Sequence, residues 1–359
     1  MNRRTFLRTT ALAPLLAAGT TPAPITAAMP GRDPWLWPFA PESIWNRPIG
    51  SEAVYQPAHL EPAAHVGVDT QFLVKTWAAD PEREVLESPG FKQRIGTRPL
   101  DFRLRVPDDW VVPDIGKDNP YGLTPNANFA ILLPDGVSVL EGAQICRPRA
   151  CGPVYLPAHM KHHANRRPVS LLGDGLSTIG QGASKMSTLG GTLRLGELVG
   201  PQPIRHAIKL NPFAARYCHY SKSVPGWRWP ARAADSYAAA EYKGQHPHVV
   251  MGSLLAIKPE TTADQLGVVT EPGRKLFQVL QDYGAYFTED AYWDTWDLIV
   301  ERDAEKEFET AHGFSMSSPT WSAEINRLVV ALHVVANNGP TSIGGGGRPR
   351  QPLAPAFQK

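Results

Sequence analysis

The stretch Glu289-Asp290-Ala291-Tyr292-Trp293-Asp294-Thr295-Trp296-Asp297 sets four carboxylates among three aromatic rings. That mixture suits glycosidic-bond chemistry. One carboxyl protonates the leaving oxygen, and a second, ~5 to ~9.5 Å away, acts as nucleophile or base. Aromatic faces match the apolar C–H faces of sugar rings. On a helix Asp290 and Asp294 would share a face; on a strand Asp290, Tyr292 and Asp294 would. The plainer alternative is a solvated acidic loop whose tryptophans plug the core.

Two further carboxylates extend the candidate set. Asp282 lies off an apolar helical stripe, next to Tyr283, in Gln281-Asp282-Tyr283-Gly284. At a helix end this pair would present an acid and a phenol to a cleft. Asp235 follows Trp229-Pro230-Ala231-Arg232, with Tyr237 two residues on. Arg232 and Asp235 either pair with each other, or Arg232 grips a substrate acid while Asp235 works as catalyst. His206, in the alternating run Arg205-His206-Ala207-Ile208-Lys209-Leu210, is either a hydrogen-bonded structural residue or a proton-transfer group with Tyr237 or Tyr283 as partner. A lyase would use it to remove the proton beside a uronic carboxylate that Arg232 neutralises. The expected catalytic residues are thus Asp235, Asp282, Asp290, Asp294, His206 and Tyr283. Trp229, Arg232, Trp293 and Tyr237 are expected to bind substrate.

Other chemistries find less support. His159, His162 and His163 form a His-x-x-His-His cluster, and His246 and His248 a His-x-His pair. Neither carries the glutamate of the His-Glu-x-x-His motif, and Lys161, Arg166 and Arg167 would repel a cation, so neither a metal site nor a cofactor is expected. Gly182-Ala183-Ser184-Lys185 and Gly175-Leu176-Ser177 lack the full nucleophile elbow. Gly344 to Gly347 lack the Lys-Ser/Thr of a phosphate loop. Cys146 and Cys151, spaced as Cys-Arg-Pro-Arg-Ala-Cys, are a candidate disulfide in an oxidising compartment, with two reduced thiols as the alternative. Cys218 is expected to be a buried unpaired thiol.

The elements that must hold these residues read as mainly β. Proline, at 35 residues, is far above ordinary usage and favours short strands with rigid connections. Residues 68–140 show a period of two, as in Phe102, Leu104 and Val106 against Arg103 and Arg105. Pro134-Asp135-Gly136 marks a hairpin turn between two apolar runs. Strands are expected again at 207–210 and 249–257, with a Gly- and Ser-rich stretch at 170–200. Thr270-Glu271-Pro272 begins a helix whose buried stripe is Leu276, Val279, Leu280 and Tyr283. Ser322 is expected to cap a second helix carrying Ile325, Leu328, Val329 and Leu332, stopped by Asn337-Asn338-Gly339-Pro340. These signals predict a β-sandwich or jelly-roll-like single domain with a few packed helices; an α+β fold is the runner-up.

The first residues bear on location. Asn2-Arg3-Arg4-Thr5-Phe6-Leu7-Arg8 resembles the twin-arginine export signal of bacteria, and Thr26-Ala27-Ala28 offers a cleavage site. The organisation expected is a signal peptide over residues 1–28, a Pro- and Trp-rich arm over 29–60 wrapping the core, and one domain over 61–359. A secreted or periplasmic location follows, with no membrane span in the mature chain. The near-balance of 36 Lys+Arg against 34 Asp+Glu leaves no basic footprint for nucleic acid. No specific protein partner is indicated.

Several segments together resemble a group of secreted bacterial proteins, many of them actinobacterial. They are Gly190-Gly191-Thr192-Leu193-Arg194-Leu195-Gly196-Glu197-Leu198, Ile204-Arg205-His206-Ala207, Trp229-Pro230-Ala231-Arg232-Ala233-Ala234-Asp235 and Leu280-Gln281-Asp282-Tyr283-Gly284-Ala285-Tyr286. The resemblance implies a shared export-linked fold over about residues 40–355 and carries over no activity. The function expected from the residues is a secreted carbohydrate-active enzyme, foremost a glycoside hydrolase acting on a polysaccharide. A polysaccharide lyase and a non-catalytic glycan-binding or envelope protein are the alternatives.

Overall fold

Strand β2 (His65–Lys75) shows how the main sheet is used. Successive side chains point to opposite faces. Phe72 and Val74 enter an apolar core on one side, while Gly67, Asp69 and Gln71 lie on the other. The computed structural model describes residues 32–115, 126–161 and 168–357. The expected export segment lies outside them. Gly31–Lys359 form one compact unit.

The mainly β expectation holds, with thirteen strands and five α-helices among the described residues. Ten strands make one mixed sheet. In spatial order they are β1 (Tyr55–Pro57), β13 (Leu332–Val335), β10 (Leu254–Ile257), β11 (Ala285–Phe287), β9 (Ile208–Asn211), β12 (Thr295–Glu301), β2, β5 (Phe129–Leu132), β6 (Ser138–Gly142) and β8 (Val169–Ser170). The pairs β11/β9, β12/β2 and β2/β5 are parallel. A second sheet holds β4 (Pro99–Arg105), β3 (Glu82–Glu87) and β7 (Val154–Leu156). The two sheets share an apolar core. Phe72, Val74, Phe129, Ile131 and Leu140 come from the large sheet, and Val85, Leu104, Val154 and Leu156 from the small one. As expected, β5 and β6 form a hairpin: Gly136 N–H bonds Leu133 O, and Asp135 Oδ1 accepts from the backbone N–H of Val137 and Ser138.

The helices are α1 (Ala214–Tyr217), α2 (Ala238–Glu241), α3 (Glu271–Asp282), α4 (Ala304–His312) and α5 (Pro319–Val330). Thr270 caps α3 by accepting from Gly273 N–H at 3.1 Å, and Leu276, Val279 and Leu280 are buried. Helix α5 corrects the expected boundaries. Its cap is Ser318, whose Oγ accepts from Trp321 N–H, because Pro319 already supplies a first helical residue there. Ser322 lies inside the helix, and Leu332 belongs to β13. In the run expected to be a strand over 249–257, Leu254–Ile257 form the strand and Met251 makes an isolated bridge to Trp227. None of the described helices is long and apolar enough to cross a membrane.

The Pro- and Trp-rich segment also differs from expectation. It enters the core instead of wrapping it: Phe39, Ile44, Trp45 and Ile49 are all buried. Trp45 Nε1 donates to Gly175 O at 2.9 Å, and its ring fills the space beside two glycines. A Cβ on Gly190 or Gly191 would meet that ring at 2.3 or 2.4 Å. The Gly-Gly pair of the resemblance motif is thereby the socket for a tryptophan about 150 residues earlier in the chain.

Candidate functional site

The polar side of the large sheet is built by register. Asp297 pairs with both Gly67 and Asn211, Ile299 with Asp69, and Glu301 with Gln71. Partners across a ladder share a face. Gly67, Asp69, Gln71, Lys209, Asn211 and Asp297 therefore line one surface over three adjacent strands. Gly67 keeps its floor low: a Cβ there would come within 2.8 Å of Asp297 Oδ1. Asp69 Oδ2 accepts from Gln71 Nε2 at 3.3 Å and Asn211 Nδ2 at 3.5 Å. Asp297 Oδ1 accepts from Thr295 Oγ1 at 3.0 Å.

The Gly- and Ser-rich stretch covers much of this face as buried coil. Gln181, Ser184, Ser187 and Thr188 have no exposed surface. Coil has few internal partners for its backbone, so charged side chains supply them. Lys209 Nζ donates to Thr188 O at 2.6 Å and Ser187 O at 3.3 Å. The Glu141 carboxylate accepts from Leu189 N–H at 2.9 Å and Ser187 Oγ at 2.5 Å.

Glu289, just past β11, forms a wall of the site. Its Oε2 accepts from Asn128 Nδ2 at 2.9 Å, and Asn126 and the Gly182 N–H also donate to its carboxylate. Gly182 is required there, since a Cβ would sit 2.2 Å from Glu289 Oε1. Asp235 and Tyr237 precede α2 and Tyr242 follows it. The Tyr242 hydroxyl donates to Asp235 Oδ2 at 2.6 Å. Asp290 Oδ1 accepts from Ala214 N–H and Tyr292 N–H, both at 2.8 Å, and its Oδ2 accepts from the Tyr237 hydroxyl at 3.1 Å.

These carboxyls feel one another. Burial pushes Asp69 up to about 7, reinforced by the Asp297 charge and opposed by Lys209. Burial, then the Asp69 charge, pushes Glu289 up to about 7. Asp235 also rises to about 7, through burial and the nearby Glu289 and Asp290 charges, although its Tyr242 hydrogen bond and Lys185 oppose this. Burial raises Asp297 to about 6 against the Thr295 hydrogen bond. It raises Asp290 too, with the Ala214 N–H opposing. Asp69, Asp297, Asp235 and Asp290 are sunk among protein atoms yet keep part of their surface open to solvent. The arrangement can hold one carboxyl protonated beside another ionised near neutral pH, which is the requirement for acid–base work. Among the described residues no three or more His, Cys, Asp or Glu side chains form a metal-holding group.

Of the residues expected from sequence, Asp235, Asp290 and Tyr237 converge here. Asp282 does not. It ends α3 before β11, whereas Glu289 follows β11, so the length of that strand lies between them. Its carboxylate accepts from Gln351 Nε2 at 2.8 Å and faces Arg350 Nε at 3.5 Å. Tyr283, also before β11, is buried, its phenol pushed up to about 12 by burial and Asp282. Asp294 is engaged elsewhere, with Ala64 N–H at 3.3 Å and Arg216 at 3.6 Å. His206 is buried and pairs through Nε2 with Glu197 Oε1 at 2.9 Å. Burial pulls that imidazole down, but the Glu197 charge and hydrogen bond outweigh it and raise it overall. Trp229 is half-buried against the core. Trp293 is exposed over His65, with ring centroids 4.8 Å apart. Arg232 is exposed, its backbone N–H on Ser184 O. Cys146 and Cys151 are free thiols, the first buried and the second exposed, so the expected bridge is absent. Their surroundings separate them: Cys146 bridges Tyr155 in the core, while Cys151 N–H bonds Asp108 O. Cys218 is a buried free thiol as expected. His159 is among the described residues, but His162 and His163 are not.

Sequence reasoning missed Asp69, Gln71, Asn126, Asn128, Lys185 and Lys209, and it named Glu289 and Asp297 without choosing them. The available signal was a recurring polar-x-polar pattern: Asp69/Gln71, Asn126/Asn128 and Lys209/Asn211. Compared with known proteins, the chain matches no family model, no curated protein and no solved structure.

Proposed function

We propose that this chain is an exported glycan-active hydrolase that works through a carboxyl pair, Glu289 as proton donor and Asp69 as base or nucleophile. The observation carrying this is the convergence of Asp69, Asp297, Glu289, Asp235 and Asp290, from distant parts of the chain, into one cluster of carboxyls raised chiefly by burial, all but Glu289 keeping some surface open to solvent. The Asp69 charge raises Glu289, so an ionised Asp69 favours a protonated Glu289 near neutral pH. Lys209 favours proton loss from Asp69. Protonated Glu289 then protonates the glycosidic oxygen, while ionised Asp69 attacks the anomeric carbon or activates water. The half-buried Asn126 amide suits a sugar hydroxyl. The exposed Tyr292 ring, whose backbone N–H donates to Asp290 and whose edge meets Tyr237, suits a sugar face. With His206 tied to Glu197, this reading uses carboxyls in preference to a histidine base.

The test is incubation of the mature protein with a panel of bacterial, plant and algal polysaccharides, scored for new reducing ends and for unsaturated ends. Hydrolysis yields only the former. Glu289→Gln, Asp69→Asn and Asp235→Asn should fold and lose release of sugars. Normal cleavage by all three variants, or unsaturated products from the wild type, would overturn the proposal.

A further inference from the structure

Lys209 has no exposed surface, and among the described residues no carboxylate oxygen lies within salt-bridge distance of its Nζ. Three acids nonetheless act on it: Glu141 of β6, Asp69 of β2 and Glu289 after β11. Asp297 of β12 faces Asp69 in turn, and Asp235, with Lys185 beside it, faces Glu289. The Gln181 side-chain amide stands between the lysine and one of these acids. One end lies 2.9 Å from Lys209 Nζ and 3.0 Å from Gln71 Oε1; the other lies 2.7 Å from Glu289 Oε2 and 2.6 Å from Asn128 Nδ2. All four neighbours are buried or nearly so.

The amide can sit either way round, and each way suits a different proton distribution. With its oxygen toward Lys209 and its nitrogen toward Glu289, it serves a charged ammonium and an ionised carboxylate but meets Gln71 Oε1 oxygen to oxygen and Asn128 Nδ2 nitrogen to nitrogen, whereas the opposite orientation donates to Gln71 Oε1 and accepts from Asn128 Nδ2. With its nitrogen toward Lys209 and its oxygen toward Glu289, it serves a neutral amine, which accepts, and a protonated carboxyl, which donates. Gln181 thus makes the state of Glu289 depend on a lysine that never reaches solvent. The lysine is kept in place by the Ser187 and Thr188 carbonyls.

We infer that Lys209 is a positioning residue for the carboxyl site, acting on Asp69 through its charge and on Glu289 through the Gln181 amide, and so setting the pH at which each gives up its proton. This deepens the hydrolase reading and rests on it. Lys209 touches no substrate. Anchoring the coil alone would make it only structural, and the difference is measurable.

The experiment is a pH titration of the full mature chain, followed by carboxyl carbon NMR with labelled aspartate and glutamate, on three proteins. They are the wild type, Gln181→Leu, and the double variant Lys209→Met with Glu141→Gln, which removes both buried charges so that neither is stranded. In the double variant the Asp69 midpoint should rise by about one pH unit or more, as loss of a nearby cation requires. In Gln181→Leu the Glu289 midpoint should move while Asp69 stays within a few tenths of wild type. If the double variant does not fold, Gln181→Leu still decides the Glu289 link. Where sugar release is measurable, the acidic and basic limbs of the kcat profile should shift with these midpoints and KM should change little. Unchanged midpoints in the folded variants, with only melting temperature lowered, overturn the inference. Shifted midpoints without any sugar release would instead sink the hydrolase reading and leave the electrostatic control standing.

Discussion

Replacing Glu289 by glutamine should stabilise this protein at alkaline pH and not at acid pH. Glu289 is 4 % exposed and is pushed from 4.5 to about 7, burial being the larger cause and the Asp69 charge the next. A carboxyl raised in the folded state contributes stability below its unfolded value, and that contribution is lost as pH climbs through the folded value. At pH 4 the side chain is protonated folded and unfolded, so the substitution changes little. Above pH 7 the wild type bears the cost of burying the charge. The interval from 4.5 to about 7, at 1.36 kcal/mol per pH unit, sets an upper limit of about 3 kcal/mol. The glutamine gives some of this back, because its NH₂ meets donors where the carboxylate met them. A net gain of roughly 1 to 3 kcal/mol above pH 7.5 is expected, or ~2 to ~6 °C in melting temperature for a domain of this size. Calorimetry at pH 4 and pH 8 on both proteins measures it. Equal shifts at the two pH values, or a loss at pH 8, would refute the assignment of Glu289 as a strained buried acid, and with it the electrostatic basis of the site.

Three other outcomes follow. Whole-protein stability should pass through a trough near pH 7: the raised carboxyls lose stability as pH rises from about 4 to 7, and Lys209, pushed down to about 7 mainly by burial, regains it from about 7 to 10.5. Chemical denaturation across pH 4 to 10 reads this directly, and a steady rise from pH 4 to 7 contradicts it. Gly182→Ala should abolish turnover and cost roughly 1 to 3 kcal/mol by forcing Glu289 off its hydrogen bonds, whereas Asp282→Asn, at the other end of β11, should leave turnover intact and cost ~1 kcal/mol through its contacts with Gln351 and Arg350. Thiol titration of the unfolded, unreduced chain should count all three cysteines as free, and a count of one would restore the Cys146–Cys151 bridge.

Local signals were legible where a single element carries both its boundary and its buried face. Thr270 and Pro272 mark the start of α3, and Leu276, Val279 and Leu280 give its inner side. The Asp135-Gly136 hairpin is similarly self-contained. Signals that depend on distant partners were not. The alternation in β2 says that Asp69 and Gln71 face away from Phe72 and Val74, but polar residues on alternate positions ordinarily face water. Nothing local says that residues 177–191 will fold back over that face as coil. For the same reason Trp45 read as part of a surface arm, although its socket is Gly175, Gly190 and Gly191. Asp282 and Asp290 looked equivalent in sequence because eight residues separate them. One short strand, β11, carries them to opposite ends.

The covered face also explains which buried charges serve the fold and which are left for chemistry. Glu141, Lys209 and Asp290 bind backbone groups: Leu189 N–H, the Ser187 and Thr188 carbonyls, and the N–H groups of Ala214 and Tyr292. Each answers a need that coil or a helix start imposes, and removal of any would leave orphaned backbone. Asp69, Asp297 and Asp235 are different. The hydrogen bonds described for them come from side chains alone: Gln71 and Asn211, Thr295, and Tyr242. They keep contact with solvent while burial raises them to about 7, about 6 and about 7, with neighbouring carboxylate charges adding to the rise of Asp69 and Asp235. Apolar residues at these three positions would relieve that cost without stranding a backbone group. Glu289 stands between the two sets, holding the Gly182 N–H while coupled to Asp69. On the hydrolase reading, this one open point of avoidable electrostatic cost is where substrate should be sought.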